Sequence, residues 1–270
     1  MAASLQVLHD KLPLTDKCHH YDDVDDVPPH IQKYWHQRYS IFDYYDQGVQ
    51  LTDDAWFGVT PEPVANQIAQ DLCTKTSKTT LIDLFGGAGG NVIAFASSFH
   101  FTRIIAIEKD AATLACAQHN AEVYGVTEYI TFVLGDSLHY LSLLRHNPSA
   151  LDPAIRVDPN QTTIFASPPW GGVAYREHEV FDLSTMEPYN LEKLYKACFP
   201  LETTLFLPRS SDLNQIAELL ASNEEDTKLD VVQYCMEGAS KAMVVYVPES
   251  KPLHQDDEGW SIAVEKDYSQ

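Results

Sequence analysis

The chain has 270 residues, 44% of them hydrophobic and 21% charged, the balance of a globular protein with room for one large domain or one domain and a small lobe. Its formal net charge of -21 excludes broad, nonspecific nucleic-acid binding, which draws on a basic surface, but leaves room for a small, locally basic pocket. No run of about 18 apolar residues occurs, and MAASLQVLHDK has no basic stretch leading into an apolar one, so neither a membrane span nor secretion is expected.

Residues 1–30 are polar and acidic, end in Pro28-Pro29, and read as a loosely held arm. Cys18-His19-His20 within it has the local look of half a metal site, but no second half follows at ligand spacing, and no metal is expected. All five cysteines are scattered without a C-x-x-C pair, the usage of reduced thiols in the cytosol or nucleus. Residues 31–60 are crowded with aromatics. Ile31, Trp35, Tyr39 and Phe42 recur at helical spacing, which predicts an amphipathic helix in a small helical lobe.

Thr60-Pro61 then reads as a cap and an opening proline for the first helix of the main domain, residues 61–250. Strand-like runs follow at 80–85, 103–108, 129–134, 162–167, 203–208, 228–235 and 241–247. The clearest helical patterns between them lie at 91–99, 111–125 and 211–222. Continuous β-branched runs alternating with helices predict an α/β sheet covered on both faces, with the last two strands as an antiparallel hairpin. Asn147 to Gln161, rich in Pro and Asp, reads as a surface loop, and 251–270 as an acidic tail.

The first strand runs into DLFGGAGGN, Asp83 to Asn91, a glycine turn opening a helix. Gly87 and Gly89 allow backbone close to a ligand. A dinucleotide turn is the obvious competitor, but Asp83 would repel a pyrophosphate and suits the ammonium of an amino-acid ligand. Glu108, ending the next strand, is placed to take ribose hydroxyls. Asp136, in the LGD that ends the third, is placed to accept from an adenine amine. An amino acid, a ribose and an adenine together describe S-adenosyl-L-methionine.

The fourth strand ends in SPPW, Ser167 to Trp170. Prolines lack an N–H and keep a carbonyl, so this turn offers acceptors and no competing donor. The Ser167 hydroxyl and Pro168 carbonyl suit an exocyclic amine of a nucleobase, turning its lone pair toward a sulfonium methyl. Trp170 offers a face for a base, best for a positively charged one. On the residues alone several readings stand beside one another. These are N2-guanine or N6-adenine methylation at internal RNA positions, an NAD-dependent oxidoreductase, and a non-catalytic ribonucleoprotein scaffold.

D-x-F-x-G-x-G followed by [D/N/S]-P-P-[aromatic] resembles the amino methyltransferases. KYWHQRYSIFDYYDQGVQLTDDAWFGVTPE, HNAEVYG, SPPWGGVAY and FLPRSSDL extend this, over roughly residues 31 to 247, to a resemblance to the trimethylguanosine synthase family. The resemblance implies a seven-stranded Rossmann-like class I methyltransferase sheet and two methyl transfers to guanine N2 of a 7-methylguanosine cap. Capped snRNA and snoRNA would be the substrates, snRNP or snoRNP core proteins the partners, a monomer the working form, and the nucleus or nucleolus the location. Ser167, Pro168 and Trp170 would hold the 7-methylguanine and Lys33 and Arg209 the cap phosphates, with Tyr175 a further substrate-binding residue. Phe42, Thr60, Asp83, Gly87, Gly89, Glu108 and Asp136 would hold the donor. Glu108 stands where the family usually has Asp. A chain lacking residues 1–60 is expected to fold its Rossmann domain but not to bind donor or methylate.

Overall fold

A computed structural model describes residues 5–171, 179–221, 229–236 and 238–250. In chain order it has β1 (Gln6–Val7), α1 (Gln32–Trp35), α2 (Arg38–Ile41), α3 (Ala55–Gly58), α4 (Glu62–Lys75), β2 (Thr80–Asp83), α5 (Gly90–Ser97) and β3 (Arg103–Glu108). There follow α6 (Ala111–Val123), β4 (Ile130–Leu134), α7 (Ser137–His146), β5 (Thr162–Ala166), α8 (Leu191–Cys198), β6 (Thr203–Leu207), α9 (Leu213–Ala221), β7 (Asp230–Met236) and β8 (Ala239–Val247).

The strands make one sheet in the order β1-β4-β3-β2-β5-β6-β8-β7. β2 to β6 pair in parallel, and β6-β8-β7 close that side as the expected antiparallel hairpin. β5 and β6 are buried at every residue, as central parallel strands with helices on both faces must be. One face is covered by α4, α5, α6 and the N-terminal lobe, the other by α7, α8 and α9.

An eighth strand joins the expected seven. Gln6 and Val7 pair antiparallel with Leu134 and Val133, and the Leu8 N–H continues to the Phe132 carbonyl at 2.9 Å. The arm is therefore tied down in part, because β4 would otherwise present an unpaired edge. Further along, the Leu12 N–H donates to Gln118 Oε1 at 2.8 Å, and His19 bridges to Leu51. Cys18, His19 and His20 serve this packing: the thiol donates to the Ala112 carbonyl, and the two rings stack on Tyr21 and Tyr45.

In the lobe the expected single amphipathic helix is two one-turn helices, interrupted at His36-Gln37. The restart changes the register, so Ile41 and Phe42 face inward with Ile31 and Trp35, while Tyr39 is 47% exposed. Thr60 does not cap α4. Pro61 occupies that position without a side-chain bond, and Thr60 Oγ1 instead accepts from Asn91 Nδ2 at 3.0 Å, tying the lobe to α5. The 147–161 segment is three short helical turns, each opened by a proline, with Leu151 and Ile155 buried beneath. No described helix is long and apolar enough to cross a membrane.

Candidate active site

After β2 the chain adds β3 and β4 on one side and then β5 and β6 on the other, so the order of the sheet reverses between β2 and β5. An open α/β sheet binds ligands at the carboxyl ends of its strands at such a switch point. Asp83, the last residue of β2, pairs in register with Phe165 of β5 and Ala106 of β3. The glycine turn and the SPPW turn therefore flank one crevice.

Backbone bonds hold the turns there. The Leu84 N–H donates to the Phe165 carbonyl at 3.0 Å, Gly86 N–H to Ile107 at 2.8 Å, and Gly135 N–H to Glu108 at 2.9 Å. The Ser137 hydroxyl donates to the Leu84 carbonyl. Gly87 and Gly89 have φ of 52° and 98°, a left-handed backbone that side chains disfavour. A Cβ on Gly89 would also sit 3.4 Å from the Ala117 backbone of α6.

The three expected acids end at three different electrostatic situations. Asp83 is fully buried; Oδ1 accepts from the Phe85 N–H at 3.0 Å, and Oδ2 has no partner among the described residues. Desolvation pushes its pKa up to about 7, the Phe85 bond opposing and the neighbouring Glu108 charge adding. Glu108 is held by three backbone donors: Lys109 and Asp110 on Oε1 at 2.8 and 2.9 Å, and Gly87 on Oε2 at 3.1 Å. Burial still keeps its carboxyl above the usual range. A carboxylate has about four lone-pair sites, so Oε2 retains one, enough for one hydroxyl rather than two. Asp136 caps α7 by accepting from the His139 N–H at 2.8 Å, and its Oδ2 accepts from the Tyr189 hydroxyl. Desolvation acts upward on it, but these bonds win and hold it below the ordinary carboxylate value.

This pattern favours a cationic ligand over a pyrophosphate. The Gly87 N–H is already spent on Glu108, and a buried carboxylate oxygen without a donor is relieved by an ammonium.

Across the crevice β5 stops at Ala166, with Ser167 half-buried and Pro168 buried. The Trp170 ring stacks on Phe206 of β6, with centroids 5.7 Å apart and planes 13° from parallel, so one face has a rigid backing. Arg209 lies just past β6, exposed, donating to the Ser240 carbonyl at 3.4 Å.

Two expected site residues are not brought to these strand ends by their contacts. Phe42, 2% exposed, leans on Tyr124 at 6.1 Å and lines a small cavity with Glu62, Asn66, Gly90 and Ile93. Lys33 is exposed on α1, its ammonium 5.0 Å over the neighbouring Tyr34 ring. Tyr175 lies outside the described residues.

Three residues join the site that sequence reasoning missed. Asn120 is fully buried on α6; it donates to the Ala88 and Gln50 carbonyls, both at 2.9 Å, and accepts from the Gln50 N–H at 2.8 Å, clamping lobe, glycine turn and helix together. Its signal was a polar side chain on the face of α6 that helical spacing assigns to the core. Asn91 and Tyr189 carried no such signal.

The sheet order, the glycine turn and the acids at successive strand ends together define an α/β methyltransferase fold. Two solved structures share it: one from Porphyromonas gingivalis W83, with TM-score 0.56 and 18% identity, covering 83% of this chain and 51% of that one, and human methyltransferase 10 domain containing protein, with TM-score 0.53 and 13% identity, covering 82% and 98%. The family model of RNA cap guanine-N2 methyltransferases matches residues 78–250, and the chain belongs to that family. It is 34% identical over 223 residues to the trimethylguanosine synthase of Schizosaccharomyces pombe, covering 82% of this chain and 87% of that protein. It is 32% identical over 191 residues to the trimethylguanosine synthase of Saccharomyces cerevisiae, covering 68% of this chain and 56% of that protein, a little over half its length.

Proposed function

We propose that the chain converts the 7-methylguanosine cap of small nuclear and nucleolar RNAs to 2,2,7-trimethylguanosine, by two methyl transfers from S-adenosylmethionine to guanine N2. The observation that carries this reading is the buried Asp83 Oδ2, without a partner among the described residues, at the strand end that shares its switch point with SPPW, a cation site beside an amine-acceptor turn. The donor, when bound, supplies an electrophilic sulfonium methyl. Asp83 holds its ammonium and Glu108 one ribose hydroxyl, while Asp136 takes the adenine amine.

On the acceptor side, the Ser167 hydroxyl and Pro168 carbonyl accept from the two N–H groups of guanine N2, directing its lone pair into the crevice. Trp170, backed by Phe206, stacks the positively charged 7-methylguanine and so favours it over guanine. As the N–C bond forms and the sulfonium S–C bond breaks, leaving the neutral thioether S-adenosylhomocysteine, the amine becomes cationic and gives its proton to solvent, so the turn needs to position more than to deprotonate. After one transfer a single N–H remains, and one of the two acceptors suffices for the second. Arg209, exposed just past β6, pairs with cap phosphates. The working unit is a monomer in the nucleus and nucleolus, meeting its RNA in snRNP or snoRNP particles.

Incubation with labelled S-adenosylmethionine and a 7-methylguanosine cap analogue, with products separated by methylation state, tests the reading. Mono- and dimethylated N2 products are expected, with none from the unmethylated analogue. Equal turnover of the unmethylated analogue would discard selection by Trp170.

A further inference from the structure

Tyr189 lies on the segment that returns from the SPPW side of the crevice, anchored by the Phe181–Ser211 bridge and by Leu183 and Met186 in the core. Its hydroxyl crosses to Asp136 Oδ2 at the end of β4, and its ring stands 6.2 Å from Phe85, the residue that opens the glycine turn after β2. The Lys193 ammonium sits 5.1 Å over the ring. Tyr189 thus bridges the loops of two strands that are separated in the sheet by β3.

A nucleoside whose ribose is held at Glu108, on β3, reaches toward β4 with its base, where Asp136 stands. Asp136 Oδ1 is occupied by the cap of α7, which fixes one edge of the carboxylate and leaves its plane to be set by the other oxygen. From this geometry we infer that Tyr189 is a positioning residue for the donor's nucleobase, its hydroxyl fixing the plane of the Asp136 carboxylate and its ring forming, with Phe85, a wall of the base pocket. This rests on the reading of Asp136 as the acceptor of the adenine amine. Two acceptor sites on the carboxylate survive these two bonds, and one is all that amine needs. Burial, with the Asp136 bond and charge adding, pushes the Tyr189 phenol up to about 12, so the hydroxyl stays a donor at neutral pH.

The consequence is base specificity. A carboxylate held ionised and in plane accepts from a 6-amino group and repels the 6-carbonyl of hypoxanthine; one released from Tyr189 does so less well. The test is calorimetric titration of the full chain with S-adenosylhomocysteine and with S-inosylhomocysteine, for wild type and Tyr189→Phe, which keeps the ring against Phe85. Wild type is expected to favour the adenine form by about a hundredfold, and Tyr189→Phe by about tenfold, the loss of one hydrogen bond's worth of selection. The KM for the donor should rise in the variant by a larger factor than kcat on the cap analogue falls. Because the preference is a ratio measured on one sample, an unfolded fraction cancels from it.

A preference unchanged in Tyr189→Phe overturns the role of Tyr189 and leaves the donor reading intact. A wild type without preference overturns the Asp136 assignment and this inference with it. Failure of wild type to bind S-adenosylhomocysteine at all overturns the donor reading itself.

Discussion

Asp83 has one oxygen satisfied and one buried without a donor among the described residues, and its pKa is raised from 3.8 to about 7. A carboxyl raised on folding binds its proton more tightly in the native state, so its contribution to stability is full below about pH 4 and is lost as pH climbs to about 7. Ligand-free Asp83→Asn is therefore expected to melt above wild type at pH 8, with the difference shrinking toward pH 5. Donor binding runs the other way, since an ammonium pairs with the ionised form. Affinity for S-adenosylhomocysteine should rise about tenfold from pH 6 to pH 8 in wild type, with proton release on binding, and stay weak and flat in the variant. At Trp170 the expectation is a separation of roles. Trp170→Ala should abolish cap methylation, through lost stacking of about 1 to 3 kcal/mol and lost charge attraction, while donor affinity by calorimetry stays within about threefold. Loss of both equally would make the ring a structural support for β6.

At the scale of elements, the junction between lobe and α5 leaves no free space for a side chain at Gly90. A Cβ on Gly90 would lie 3.0 Å from Val59 Cγ2 and 3.3 Å from the Thr60 carbonyl, both backing the Thr60–Asn91 bond. Gly90→Ala is expected to cost about 1 to 3 kcal/mol through overpacking. The gain in helix propensity, about 1 kcal/mol, offsets it in part. Thermal melting should show a drop of a few degrees, and calorimetry a severalfold weaker donor. Gly58→Ala is the matched control, because nothing lies within 4 Å of its Cβ position. Elements also show where sequence patterns are sufficient. β3 occupies the expected span, Arg103–Glu108, because a parallel strand buried on both faces writes itself as an unbroken apolar run. β1 has two residues and writes nothing, since its place is set by the open edge of β4. The helix expected through Ile31, Trp35, Tyr39 and Phe42 failed for a similar reason: its register is reset midway, and the packing of Ile41 and Phe42 against the domain settles which face is inside.

For the whole molecule, the lobe and the Rossmann domain share one hydrophobic core. Ile31, Trp35, Phe42, Tyr45, Leu51 and Trp56 are buried in the same cluster as Val64, Ile68, Phe95 and Ala117. This revises the expectation that the domain folds without residues 1–60. Their removal would strip apolar cover from α4 and α5, and leave Asn120 without its partners on Gln50. The shortened chain is expected to lack a cooperative thermal transition by circular dichroism, whereas removal of residues 1–8 alone should leave one, a few degrees lower. A cooperative melt of the 61–270 fragment would restore the separable-lobe picture.

The local chemistry of the site was legible because it is written in consecutive residues. DLFGGAGGN, the acids closing three strand runs and SPPW each carry their geometry in a few adjacent dihedrals and donors, and the apolar runs around them name the sheet class. Tertiary structure alone decided which of those pieces meet. The reversal of strand order puts Asp83 and Ser167, 84 positions apart by their numbers, on one crevice. Tertiary packing turns Thr60 from a cap into a partner of Asn91, spends an acceptor site of Asp136 on Tyr189, and sends Phe42 into the core beside Tyr124. The division follows from range: turn conformation and burial pattern are set by neighbours in the chain, whereas the partner of a buried polar atom is set by whatever distant segment the sheet brings within hydrogen-bonding reach.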